Sequence, residues 1–186
     1  VSILNFGFTS PGEFKKHIKT AAPLMERYLE EAGLIDAEWA RLLKSDCAPK
    51  DIFGLDDSEM DALFQFGYQA LEGGDFKSAE LVFSKLCQLD SLDARFPFAM
   101  GAALQLQGRY GPAAKLYLIA LSLKATWVDI YIRLGECLLA AGECEQADGV
   151  LSVAEVLIDE GFGSEALKVQ LESLLARASE VRGVRA

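Results

Sequence analysis

Three glycines stand 34 residues apart, Gly67, Gly101 and Gly135, and the columns around them repeat in the same register. Seven residues on come Gly74, Gly108 and Gly142, and two further on Phe76, Tyr110 and Cys144. Ala79, Ala113 and Ala147 follow, then Phe83, Tyr117 and Leu151, while Phe66, Met100 and Leu134 precede the first glycines. A fixed period of this size means stacked units, each burying its apolar face only against its neighbours. The second glycine of each set marks a tight turn between two helices. The small residues let those helices approach closely, and the large ones fill the space between units.

A period of 34 with this order of small and large residues is the tetratricopeptide signature. The expected fold is therefore all-α: a right-handed superhelix of three helix pairs over about 59–160, with a C-terminal capping helix and extra N-terminal helices. The cap is needed because a stack exposes an apolar face at each end. Ser164 is expected to start that last helix, Leu167, Leu171, Leu174 and Leu175 to form its apolar face, and Gly183 to stop it. Within the repeats, Ser58 with Asp61, Asp93, and Thr126 with Asp129 read as helix starts. Pro97 and Pro112 are tolerated because each falls in a first turn. Upstream, Ser10-Pro11-Gly12-Glu13 reads as a helix start, with Phe14, Ile18, Tyr28 and Leu29 on one face, and Asp36 caps a short helix carrying Trp39. Residues 45–57 form a polar connector. Two domains follow: a helical segment at 1–50, acting in dimerisation or as a cap, and a repeat domain at 51–186.

Composition narrows the function. The net charge is -10, and residues 59–159 hold 7 basic against 14 acidic side chains. Such a chain repels phosphate backbones and anionic membrane surfaces, so neither nucleic acid nor membrane is an expected partner. No apolar run is long enough to span a bilayer. The first residues show no basic stretch followed by an apolar one, so no export signal is expected. The chain opens on Val1 rather than Met, as expected where the natural start is missing or processed. Cys47, Cys87, Cys137 and Cys144 form no C-x-x-C pair, and His17, the one histidine, sits among Lys15, Lys16 and Lys19. No triad, metal set or phosphate loop emerges, so no enzyme, cofactor or metal site is expected.

The inner surface carries the functional information. Units numbered from Met60, Ala94 and Val128 place positions 2, 5, 9 and 12 of each first helix toward a concave groove. These are Asp61, Phe64, Tyr68 and Leu71; Arg95, Phe98, Ala102 and Gln105; and Asp129, Ile132, Glu136 and Leu139. Aromatic and aliphatic residues at such positions point to a peptide groove with apolar pockets, or to cover by another segment or a second copy.

The stretch 52–176 resembles the class II chaperones of bacterial type III secretion, which hold hydrophobic translocator proteins before export. The resemblance rests on Leu63-Phe64 with Gly67-Tyr68, on Phe83 through Cys87-Gln88-Leu89-Asp90, and on Gly135-Glu136-Cys137-Leu138. It implies a cytoplasmic, non-enzymatic chaperone binding an extended translocator segment in its groove. Phe64, Tyr68 and Leu71 would form pockets for small apolar anchors, and Leu71 stands where the family usually has an aromatic. Homodimerisation through the N-terminal helices is expected. The alternative is a generic tetratricopeptide scaffold or co-chaperone, against which the apolar, acidic groove argues, and regulation of a transcription activator is a lesser alternative.

Overall fold

The computed structural model describes residues 48–185. The expected helices and dimerisation face at 1–47 lie outside the described residues. A short helix, α1 (Pro49–Ile52), belongs to one compact unit, and the chain from Asp57 onward forms a second.

The second unit is a run of helix pairs. They are α2 (Asp57–Glu72) with α3 (Phe76–Leu89), α4 (Arg95–Leu106) with α5 (Tyr110–Leu123), and α6 (Val128–Ala140) with α7 (Cys144–Asp159). A long last helix, α8 (Glu165–Arg185), packs on α7 and α6. Among the described residues there is no strand. Each helix packs on the next in sequence, and α4 touches both α2 and α6. The first helices of the three pairs therefore share one wall.

The repeat columns explain the pairing. A Cβ added at Gly67 would lie 2.8 Å from Phe83 Cε1, one at Gly101 2.8 Å from Tyr117 Cε1, and one at Gly135 2.5 Å from Leu151 Cδ2. Each glycine thus lies directly under the large residue sixteen positions later. Phe83, Tyr117 and Leu151 are fully buried, as are Ala79, Ala113 and Ala147.

The turns repeat as closely. Gly74, Gly108 and Gly142 have φ of 78°, 73° and 79°, a left-handed setting that costs glycine little. In each turn the next amide donates back across the helix end: Asp75 to the Ala70 carbonyl, Arg109 to Leu104 and Glu143 to Leu138, all at 2.9 Å. This is the Schellman closure of a helix C-terminus. Gly161 closes α7 in the same manner, with Phe162 N–H donating to the Leu157 carbonyl at 2.9 Å.

Several expected boundaries differ. The start of α2 is Asp57, so Ser58 falls inside the first turn. Trp127 rather than Thr126 precedes α6, and no side chain caps that end. Gly183 does not stop α8, which continues to Arg185; an isolated glycine in a helix costs only about 1 kcal/mol. Asp93 and Ser164 do act at helix starts. The Arg95 amide donates to Asp93 Oδ1 at 2.9 Å, and the Leu167 amide to Ser164 Oγ at 3.4 Å.

Two alanine substitutions separate packing from helix propensity. Gly149, within α7, has open space where a Cβ would go, so Gly149→Ala should raise stability by about 0.5–1 kcal/mol. Gly101→Ala gains the same propensity but drives a methyl into a buried ring, and should lower stability by about 1–3 kcal/mol. Chemical denaturation of both variants measures the contrast. Equal shifts of the same sign would contradict the close approach at Gly101.

Candidate functional site

Eight of the twelve inner-surface residues line one cleft of about 530 Å3: Phe64, Tyr68, Leu71, Arg95, Phe98, Ala102, Gln105 and Asp129. α2 supplies the first three, α4 the next four and α6 the last. A second cleft of about 280 Å3 takes Glu136 and Leu139, together with Gln105, Tyr110, Ala140, Leu174 and Arg177. Asp61 stands outside both clefts and pairs with Arg95 at 2.9 Å. Ile132 departs from the expected pattern. It is fully buried, packed with Val128, Leu151, Leu171 and Leu174 under the capping helix, and does not face the groove. A larger hollow of about 620 Å3 lies between 90–95 and 123–127, but it is more open and borders Asp90, Asp93, Arg95 and Lys124.

The wall of the main cleft is aromatic. The Phe64 ring sits 6.4 Å from Tyr68, 5.6 Å from Phe83 and 5.9 Å from Phe96, centroid to centroid. Phe98 lies 5.7 Å from Tyr117 and 4.7 Å from Trp127. These are tilted ring pairs of the favourable kind. Tyr68 is 44% exposed although apolar neighbours surround it. The cleft therefore presents aromatic surface to solvent at its first-unit end.

The charges at the cleft are largely matched within the chain. Arg95 donates to both Asp93 oxygens, to Oδ1 at 3.1 Å and Oδ2 at 2.7 Å, and to Asp61. Asp93 first, and Asp61 with it, hold the guanidinium charged well above the ordinary arginine range. The same guanidinium lies 5.5 Å from the centre of the Phe64 ring and 5.6 Å from that of Phe96. Arg133 stands 3.6 Å from Asp129 and 3.5 Å from Glu136. Its buried Nε has no hydrogen-bond partner among the described residues. Glu136 accepts from Gln105 at 2.7 Å and from Gln170 at 3.2 Å, and Tyr117 donates to Gln105 at 2.7 Å.

Trp127, Arg133, Glu72, Ala99 and Leu106 complete the main cleft without having been marked in the sequence. Trp127 precedes the first numbered position of its unit, where the other units carry Glu59 and Asp93. Its signal was a lone aromatic in a connector, invisible to a search for repeating columns.

No protein-family model matches the chain. Low calcium response locus protein H of Yersinia pestis is 28% identical over 116 residues, covering 62% of this chain and 69% of that protein. Chaperone protein SicA of Salmonella typhimurium is 29% identical over 133 residues, or 70% and 79% of the two chains. The fold also matches Yersinia enterocolitica SycD, a type III secretion chaperone solved with a peptide of the translocator YopD. That match has a TM-score of 0.64 and 26% identity, and covers 68% of this chain and 97% of that one. This chain is similar to type III secretion translocator chaperones.

Burial pushes the Cys87 thiol up to about 11 and the Cys137 thiol up to about 12, so both are neutral thiols near pH 7. Among the described residues no group of three His, Cys, Asp or Glu could hold a metal ion.

Asp129 is a cleft carboxylate that burial penalises. Burial raises its pKa above the ordinary aspartate value, Glu136 adds to the rise and Arg133 opposes it. A raised carboxylate pKa means that the folded chain holds this proton where the unfolded chain has lost it. The charged form therefore costs stability at neutral pH, and that cost vanishes as pH falls through the folded pKa. Asp129→Asn should accordingly keep or raise the melting temperature at pH 7, with the difference from the parent closing toward about pH 4. A large drop at pH 7 would show that the Arg133 pairing outweighs the desolvation.

Proposed function

We propose that this chain is a non-enzymatic chaperone of the bacterial cytoplasm that holds a hydrophobic translocator protein of a type III secretion system. An extended segment of the translocator lies along the inner cleft. In the same proposal residues 51–186 are the chaperone domain, and residues 1–50 serve dimerisation or cover the groove.

The observation that carries the reading is the solvent-facing aromatic wall of Phe64, Tyr68, Phe98 and Trp127 around a cleft of about 530 Å3. A hydrophobic secretion substrate needs its apolar segments covered while it waits, and this wall offers such cover. Small apolar side chains entering the cleft gain about 25 cal/mol per Å2 of apolar surface removed from water. Aromatic anchors in desolvated pockets usually dominate such interfaces. Leu71, aliphatic where Phe64 and Tyr68 are aromatic, lines the cleft beside Tyr68 and leaves room there for an anchor. The bound YopD peptide of the relative SycD supports a peptide as the occupant. The location follows from the role: the substrate must be met before export. No described helix is long and apolar enough to cross a membrane.

Truncating Tyr68 to Ala should weaken binding of a co-expressed translocator by about 1–3 kcal/mol, and Phe64→Ala by a similar amount. Tyr68 is the cleaner test, because Phe64 also packs against the buried rings of Phe83 and Phe96. Calorimetric titration beside circular dichroism on the same variants separates lost binding from lost fold. Two folded variants with full affinity would move the site away from this cleft.

A further inference from the structure

Gln105 lines both inner clefts, so the main cleft and the smaller one at the capping helix adjoin across this side chain. The two differ in which charges are already used. In the main cleft, Arg95 is paired with Asp61 and Asp93, and Arg133 and Asp129 face each other with Glu136 beside them. What remains is Glu72, at the Tyr68–Leu71 end. Its exposed carboxylate has no ion-pair or hydrogen-bond partner among the described residues. In the smaller cleft the carboxylate is the group in use: Glu136 accepts from Gln105 and Gln170 through its two oxygens. What remains there are donors, the Arg177 guanidinium on α8 and the Tyr110 hydroxyl, neither with a side-chain partner among the described residues.

We infer that the cleft at the capping helix is a second subsite for the same bound segment, and that it takes an acidic side chain. Glu72 selects a basic side chain at the opposite end. The bound segment is then an extended strand with apolar anchors between a basic flank at α2 and an acidic flank at α8. The anchors supply the affinity, and the two free charges set the register and direction, as complementary charge does at other interfaces. This rests on the proposed peptide groove and adds what the groove selects.

The test uses the full-length chain and a synthetic library of extended peptides. All carry the same central run of small apolar anchors, with Lys, Asp or Ser at each flank in every combination and in both orders. The parent chain should enrich peptides of opposite flank charge in one order over the other, by about two- to fivefold per flank at low salt, the range of exposed ion pairs. The preference should fade in high salt while anchor-dependent binding stays. Glu72→Lys should abolish or invert the preference at one flank only, and Arg177→Glu at the other only. The double variant should prefer the reverse order, an outcome that simple damage to the fold would not produce. Anchor-dependent binding with no flank preference, or variants that keep the parental order, would overturn the polarity and leave the groove standing. Failure of every anchored peptide to bind would overturn both.

Discussion

In each helix pair a glycine on the first helix lies under a large buried side chain of the second. The contacts are Gly67 with Phe83, Gly101 with Tyr117 and Gly135 with Leu151, and at each a methyl group would come within 2.8 Å of the neighbour. They set how closely the helices approach and how each first helix is rotated. With that rotation fixed, Phe64, Tyr68 and Leu71 of α2 and Phe98, Ala102 and Gln105 of α4 turn to one side together. Tyr117 links the two tasks. Its ring fills the space over Gly101, and its hydroxyl donates to Gln105 at the floor of the cleft. The third pair keeps the same internal contact, but α8 covers part of its inner face. Ile132 is buried against Leu171 and Leu174, and the cleft is therefore built from the first two units and the start of the third.

The features that every unit shares were legible in the sequence. Gly74, Gly108 and Gly142 each need a left-handed backbone, so three turns could be placed from one column. The Gly67, Gly101 and Gly135 column and the alanine column gave the helix pairs for a different reason, because close helix approach leaves room only for small residues there. Helix starts were less legible. The Asp93 carboxylate accepts from the Arg95 amide as read, but Ser58 lies inside the first turn of α2 and no side chain caps α6 after Thr126. The cleft depends on what the units do not share. Trp127, Glu72 and Arg133 have no counterpart that a repeat register would single out, and Ile132 was lost to cover by a helix outside the repeat.

The inner surface also shows how a chain with a net charge of -10 can present an apolar site. Asp61 and Asp93 hold Arg95, whose guanidinium lies over the Phe64 and Phe96 rings. Arg133 stands between Asp129 and Glu136. The more exposed of these pairs, Arg95 with Asp61, adds about 0–1 kcal/mol to stability. Their larger effect is to fix the long side chains at the rim, Arg95 against the Phe64 and Phe96 rings.

Trp127 gives the most direct test that the cleft is where a translocator segment binds. The chain has two tryptophans, so Trp39→Phe leaves Trp127, stacked 4.7 Å from Phe98, as the single reporter. Its emission should shift to shorter wavelength and saturate as a co-expressed translocator or its chaperone-binding segment is titrated in, with the same midpoint as the binding measured by anisotropy of the labelled segment. Saturable binding by anisotropy with no change in Trp127 emission would place the segment elsewhere on the molecule.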